Sequence, residues 1–203
     1  MTRTTPSLHI GTAGWGLPRA VAEAFPGDGA LLERYARVLG CTEINTTFSR
    51  THRADTFERW AMQTPTGFRF SVKLPKAFTH VARLKVPSRE VGTFVSSLAG
   101  LGERLAVLLV QLPPSLGFDP EAARDFFRSV RAEYPGAVVY CSWHGSPRMY
   151  WSAYDDDWLE ARARELLNWP ATTQVWCIFD NTAAGAAADD ALRLAARMAR
   201  LSA

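Results

Sequence analysis

Six short apolar runs, each followed by an amphipathic stretch, constrain this chain more than any other feature. The runs cover 8–15, 41–47, 68–74, 105–113, 137–144 and 174–180. They are rich in Val, Ile, Phe, Leu or Cys and too short for helices, so they read as strands. Several are apolar almost throughout, as in Leu-Ala-Val-Leu-Leu-Val at 105–110, the signature of strands covered on both faces in a parallel sheet. The intervening stretches read as helices. Leu31, Leu32, Tyr35, Ala36 and Leu39 recur near a 3.6 period, with Gly40 as the stop. Asp55 and Glu58 resemble a capping pair, and Val91, Phe94, Val95 and Leu98 mark a third helix. Asp119-Pro120-Glu121 places a capping Asp before a Pro at the first helical position, with Phe126, Phe127 and Val130 turned inward. Asp155, Asp156 and Asp157 suit the N-terminus of a helix carrying Leu159, Ala163, Leu166 and Leu167. The last helix starts near Ala187 and carries Leu192, Ala195, Ala196 and Met198.

Strand–helix repeated six times predicts an α/β fold with a parallel sheet. The 203 residues give roughly 34 per unit, near the size of a strand–crossover–strand unit. No composition break or linker divides the chain, so residues 1–203 read as a single domain. A complete (β/α)8 barrel takes about 250 residues, and six units alone would favour an open doubly wound sheet. The glycines after the first strand, Gly11, Gly14 and Gly16, lack dinucleotide-binding spacing, and no P-loop is present; no cofactor is indicated. A net charge of +3 is too small a bias to argue for nucleic acid or an anionic membrane. No run of about 18 apolar residues is long enough to span a bilayer, and residues 1–6 lack the apolar stretch of a secretory signal. Cys41, Cys141 and Cys177 lie far apart in apolar runs, as reduced thiols of a cytoplasmic protein would.

Ligands of parallel α/β folds bind at the carboxyl ends of the strands, and here those ends are polar and aromatic. They supply Thr12 and Trp15; Glu43, Asn45, Thr47 and Phe48, with Arg50 beyond; Lys73, Thr79 and His80; Gln111; Trp143 and His144, then Arg148, Tyr150 and Tyr154; and Asp180 with Asn181. Glu43, Asn45 and Thr47 alternate, so on a continuous strand they share a face. A buried Glu43 needs a partner; Lys73 is the expected one, either in a structural ion pair or beside a general base. His80 and His144 are two of four histidines. With Glu43 and Asp180 they are of metal-ligating type, but no local ligand spacing supports a metal and none is assigned. Lys73, Lys76, His80, Arg83, Lys85 and Arg89 form either a solvated basic loop or an anion site, to which Arg50, Arg53 and Arg148 could add. Trp15, Phe48, Trp143, Tyr150, Trp151 and Tyr154 could stack on a planar ligand or simply pack. Cys141 lies three residues from His144, on the opposite strand face, and is expected under a helix.

The strand-end motifs together resemble the YecE-like family, domain of unknown function 72. The matching pieces are Ile10-Gly11-Thr12-Ala13-Gly14-Trp15, Glu43-Ile44-Asn45-Thr46-Thr47-Phe48, the Phe68–Pro75 stretch, Thr79-His80, Gln111-Leu112-Pro113-Pro114-Ser115 and His144-Gly145, while Ser146-Pro147-Arg148-Met149-Tyr150 and Ile178-Phe179-Asp180-Asn181-Thr182-Ala183 look like one bacterial branch of it. The resemblance implies a TIM-barrel-like (β/α) barrel and no established activity. Against that family, about two strand–helix units are missing between Tyr134 and Ala137, leaving about six units and a barrel that is incomplete or open. An acidic residue that follows Thr-His in the family is Val81 here, and an Arg two residues before His-Gly is Ser142.

These readings converge on a site for a small anionic molecule at the strand ends. Glu43, His80 and His144 would carry acid–base or hydrolytic chemistry. Thr12, Trp15, Asn45, Thr47, Lys73, Gln111, Arg148, Tyr150, Asp180 and Asn181 would bind the ligand. The alternatives are a non-catalytic binding or regulatory module, and a degenerate homologue that completes itself as a homo-oligomer.

Overall fold

The computed structural model describes residues 6–117, 119–133 and 139–202. Among them, strands and helices alternate: β1 (Ser7–Ala13), α1 (Leu31–Ala36), β2 (Cys41–Ile44), α2 (Ala54–Met62), β3 (Arg69–Lys73), α3 (Ser88–Ser97), β4 (Leu105–Leu109), α4 (Pro120–Glu133), β5 (Val139–Trp143), α5 (Asp156–Leu166), β6 (Gln174–Phe179) and α6 (Ala186–Ser202). Every expected strand is present, and the strand pairs are parallel. The stretch at which the resemblance implies missing units, 134–137, lies outside the described residues, as do residues 1–5 and the expected strand start at 137–138. The chain divides into two compact units, residues 1–43 with 138–203 and residues 44–137.

In the first unit the strands lie in the order β2-β1-β6-β5. Residues 175–179 of β6 are all fully buried, since the strand has a neighbour on each side and is covered on both faces; this is why its run is unbroken. Gly11 sits where β1 and β2 pair, and a Cβ there would come within 2.2 Å of the Cys41 carbonyl oxygen. α1 is tied beneath this pair by Tyr35. The Thr12 N–H donates to the Tyr35 oxygen at 2.9 Å, the Thr12 hydroxyl oxygen lies 3.0 Å from it, and that phenol donates to the Cys41 carbonyl at 2.9 Å. Burial pushes the Tyr35 ionisation far up, so the phenol stays a donor. The helix ends at Ala36 rather than running to Gly40, because a tightened turn returns the Val38 and Leu39 N–H groups to the Tyr35 carbonyl. α5 starts where expected: Asp155 accepts the Trp158 N–H at 2.7 Å, with Asp156 and Asp157 in the first turn.

The inner face of this unit is concave. Tyr140 of β5 donates to Glu43 of β2 at 2.6 Å, yet three strand spacings separate these strands, about 14 Å in a flat sheet. Trp176 lies between them in the sheet order, stacked on His9 at 4.7 Å and on Tyr140 at 6.1 Å. This is the curvature of a barrel segment.

In the second unit β3 pairs with β4, and Leu74, Leu84, Val91, Phe126 and Val130 form the core with Phe78, Phe94 and Leu108 packed against it. Asp119 caps α4, accepting the Glu121 and Ala122 N–H groups at 3.1 and 3.0 Å. Two expectations are corrected. Asp55 is not a cap: Arg53 holds the N-cap position without a side-chain bond, and Asp55 lies inside the helix, paired with Arg53 at 3.4 Å. Phe127 is exposed, since neighbouring helical positions point about 100° apart and Phe126 takes the inward one.

Candidate functional site

The strand register places three expected residues in one row of the first unit. Ala13 lies opposite Glu43, while Thr12 and Trp143 both lie opposite Phe179. One step further along β1, β6 and β5 therefore puts Ala13, Asp180 and His144 in line with Glu43, at the carboxyl ends and on the concave face. The outcome is a His–carboxylate pair: His144 Nδ1 is 3.0 Å from Asp180 Oδ2. A carboxylate only accepts, so Nδ1 carries the proton and Nε2 is left as the basic nitrogen. The His144 side chain is 31% exposed against 10% for Asp180, so the base is open and its orienting carboxylate covered. Tyr150 presents its ring edge-on to the imidazole, centroids 5.3 Å apart.

The loop that carries Tyr150 is held by its own bonds. Tyr150 has left-handed backbone, φ 66°, fixed by its N–H on the His144 carbonyl and by its own carbonyl, which accepts the Ala183 N–H at 3.0 Å. Gly145 N–H donates to the Tyr154 phenol at 2.8 Å. Asn181 is a strut: fully buried, it donates to the Ser152 carbonyl at 2.9 Å and to Asp190 at 2.7 Å. Asp190 also accepts the Tyr154 N–H and pairs with Arg193 at 3.0 Å. Burial pushes the Asp190 carboxyl up, against the pull of Asn181 and Arg193. Arg148 is exposed, its guanidinium 4.2 Å over the Trp151 ring, so the loop offers a cation and two exposed aromatics. Trp143 and Tyr154 instead pack inward, Tyr154 stacked on Trp158 at 3.8 Å and Trp143 edge-on to Trp158 and Phe179.

Glu43 is 2% exposed and has Tyr140 as a partner. Tyr140 is the site residue that sequence reasoning missed. Strand parity was the available signal, since Tyr140 and His144 are four residues apart and share a face. Thr12 turns its hydroxyl to Tyr35 and to the Gly14 carbonyl, 2.5 Å away. It also lines a cavity of about 360 Å3 with Gly14, Pro18, Thr182 and Ala187. Trp15 is half-buried just beyond β1.

The second unit gathers a different set. β2 ends at Ile44, so Asn45 and Thr47 do not continue Glu43's strand face: Asn45 is already helical and residues 46–48 form a helical turn. The Thr47 hydroxyl, with bonds of 2.9 and 2.7 Å to the Ile44 and Lys73 carbonyls, fastens that turn to β3. Lys73 is 7% exposed. Its ammonium lies 4.9 Å over the Phe48 ring, with no acidic partner among the described residues. His80 packs edge-on to Phe48 at 5.0 Å, and its Nδ1 bonds the Thr79 hydroxyl at 2.8 Å. Arg50 and Lys76 line a cavity of about 200 Å3 with Thr47, Phe48 and His52. The Lys73–Arg89 cations do not cluster as a whole: Lys76, Arg83, Lys85 and Arg89 are exposed, and Lys85 pairs with Asp119 at 3.6 Å. Gln111 is half-buried two residues beyond β4. Glu43, His144 and Asp180 thus belong to the first unit, Lys73 and His80 to the second. Among the described residues no three His, Cys, Asp or Glu side chains converge as a metal requires, and no helix is long and apolar enough to cross a membrane.

The comparisons with known proteins agree with this architecture. UPF0759 protein YecE of Escherichia coli, in strains K12 and O157:H7, is 32% identical over 110 residues. That stretch is 54% of this chain and 39% of YecE, so the match spans well under half of the curated relatives' length. A DUF72 family protein of Enterococcus faecalis V583 superposes with a TM-score of 0.76, 14% identity and 95% of both chains covered. One of Thermotoga maritima MSB8 gives 0.76 at 19% identity, over 95% of this chain and 99% of the other. At these identities the likeness speaks for the fold, an α/β TIM-barrel-like fold with six strand–helix units. The family model described as "Protein of unknown function DUF72" matches residues 9–139 and 129–203. The two pieces overlap at residues 129–139, and between them they span nearly the whole sequence: the chain belongs to the DUF72 family.

Proposed function

We propose that the protein performs acid–base chemistry on a small anionic molecule at the carboxyl ends of the strands of its first unit. The observation that carries this is the His144–Asp180 pair, 3.0 Å apart with the imidazole open and the carboxylate covered. Asp180 fixes the tautomer and His144 Nε2 moves the proton. Glu43, in the same row and held by Tyr140, is the second acid–base group. Arg148 meets the anion and Tyr150 walls the imidazole. The three free thiols suit a cytoplasmic location.

Nitrophenyl esters of phosphate and of carboxylic acids, with inorganic phosphate as an unreactive ligand, test this reading. Phosphate is expected to shift the His144 ring resonances. His144→Gln should lower ester turnover by about 10²–10⁴-fold while phosphate affinity stays within a few-fold. Turnover unchanged in that variant, or no response to phosphate, overturns it. A second reading, a binding module without chemistry, is favoured by Ser142, which lies between Tyr140 and His144 on their strand face where the family resemblance expects Arg. Phosphate binding with no ester turned over would select it.

A further inference from the structure

Two thiols stand apart from the proposed site, on the other face of the same strands. Cys141 of β5 and Cys177 of β6 are register partners. Register partners on neighbouring parallel strands put their side chains on one face, with the strands about 4.8 Å apart, inside the Cα separation of roughly 4.4–6.8 Å that a disulfide spans. Both are free cysteines; Cys177 is fully buried and Cys141 half-buried. Cys41 is excluded from the pair. It lies beyond β1 from Cys177, two strand spacings or about 10 Å away, and in a different row, opposite Gly11 while Cys177 is opposite Ile10.

The surroundings make Cys141 the reactive member. The neighbouring Cys177 sulfur pulls the Cys141 thiol below its ordinary range, while burial and Cys141 push that of Cys177 up. Arg162 of α5 acts on Cys141 in the same direction, against burial and Glu165. The Arg162 Nε–H is itself buried and has no hydrogen-bond partner among the described residues, so an accepting thiolate suits this corner. Partly exposed cysteines in electropositive surroundings are the reactive kind.

We propose that Cys141 is a peroxide-reactive thiol and Cys177 its resolving partner, the two forming a reversible disulfide between β5 and β6. The Cys141 thiolate attacks one oxygen of hydrogen peroxide, breaking the O–O bond; the sulfur is oxidised to a sulfenic acid and hydroxide leaves. The Cys177 sulfur then attacks the Cys141 sulfur, the S–O bond breaks, and the hydroxyl departs with the Cys177 proton as water. A dithiol reductant reverses the reaction. The bond would staple β5, which has β6 as its one strand neighbour in this unit, to the strand that carries Asp180.

The test is brief exposure of the whole protein to hydrogen peroxide, alkylation of the remaining thiols and peptide mapping. Two of the three thiols should escape alkylation, the peptides containing Cys141 and Cys177 should be linked within one chain, and dithiothreitol should restore all three. Cys41→Ser should behave like the wild type. In Cys177→Ser, Cys141 should stop at the sulfenic acid and be trapped by dimedone; if that variant fails to fold, the mapping of wild type and Cys41→Ser decides alone. Three alkylated thiols after peroxide, a link through Cys41, or a link between two chains overturns the proposal. None of these readouts depends on ester turnover, so they stand apart from the test of the acid–base site.

Discussion

Arg83 and Leu84 follow the helical turn that carries His80, and both hold left-handed backbone at φ 50° and 69°. The conformation costs an L-residue roughly 1–2 kcal/mol, and the two differ in what offsets it. Leu84 fills the core of the second unit, whereas Arg83 is exposed and makes no such contribution. Arg83→Gly should therefore raise stability in urea unfolding by about 0.5–1 kcal/mol. Leu84→Gly should lower it by about 2–5 kcal/mol, as loss of a buried Leu does. A stabilised Leu84→Gly would show that backbone strain, not packing, dominates this turn. Val81, three residues before Leu84, is exposed, at the position where the family resemblance expects an acid.

At the scale of elements, the loop from β5 to α5 and the start of α4 each depend on one short-range fit. A Cβ on Gly145 would meet the Ser152 carbonyl oxygen at 2.7 Å, and its φ is +89°. Gly145→Ala should cost about 1–3 kcal/mol and displace the neighbouring His144 resonances; unchanged stability and spectra would mean the loop has another conformation to use. The Asp119 carboxyl is held below the usual carboxylate range by the Ala122 N–H and by Lys85. Because the folded value is depressed, the stability it lends is complete above the ordinary carboxylate range and disappears as pH falls through the lower folded value. Asp119→Ala should thus be less stable than wild type at pH 7, and the two should converge in strong acid; a gap that persists there contradicts capping by the charged form. Asp156 follows the same sign, its carboxyl lowered by Arg193 and then Arg197 of α6, so the α5–α6 clamp is complete at neutral pH and loosens only in acid.

At the scale of the whole molecule, β5 has one strand neighbour, β6, and β4 has one, β3, among the described residues. Unpaired edges invite association, and we propose a homo-oligomer on that ground; sedimentation velocity over a rising concentration series should show the average mass increase, and a monomer throughout would remove the proposal. The strands themselves were legible in the residues, because burial on both faces leaves an apolar run that any reader of β6 meets at 174–180. The capping Asp119 and Asp155 were legible too, because a cap is a bond between near neighbours in sequence. The extension of β2 through Thr47 failed, since alternation continues in the residue types after the backbone has turned helical at Asn45. Glu43's expected partner was Lys73, and the bond described is to Tyr140, 97 positions away. Local chemistry, the period of apolar residues and the bonds a side chain can reach within a few residues, is written along the chain. Which strands become neighbours is not: the meeting of His144 with Asp180, of Cys141 with Cys177, and of Glu43 with Tyr140 depends on the order and curvature of the sheet, which long-range packing sets and no short stretch of residues encodes.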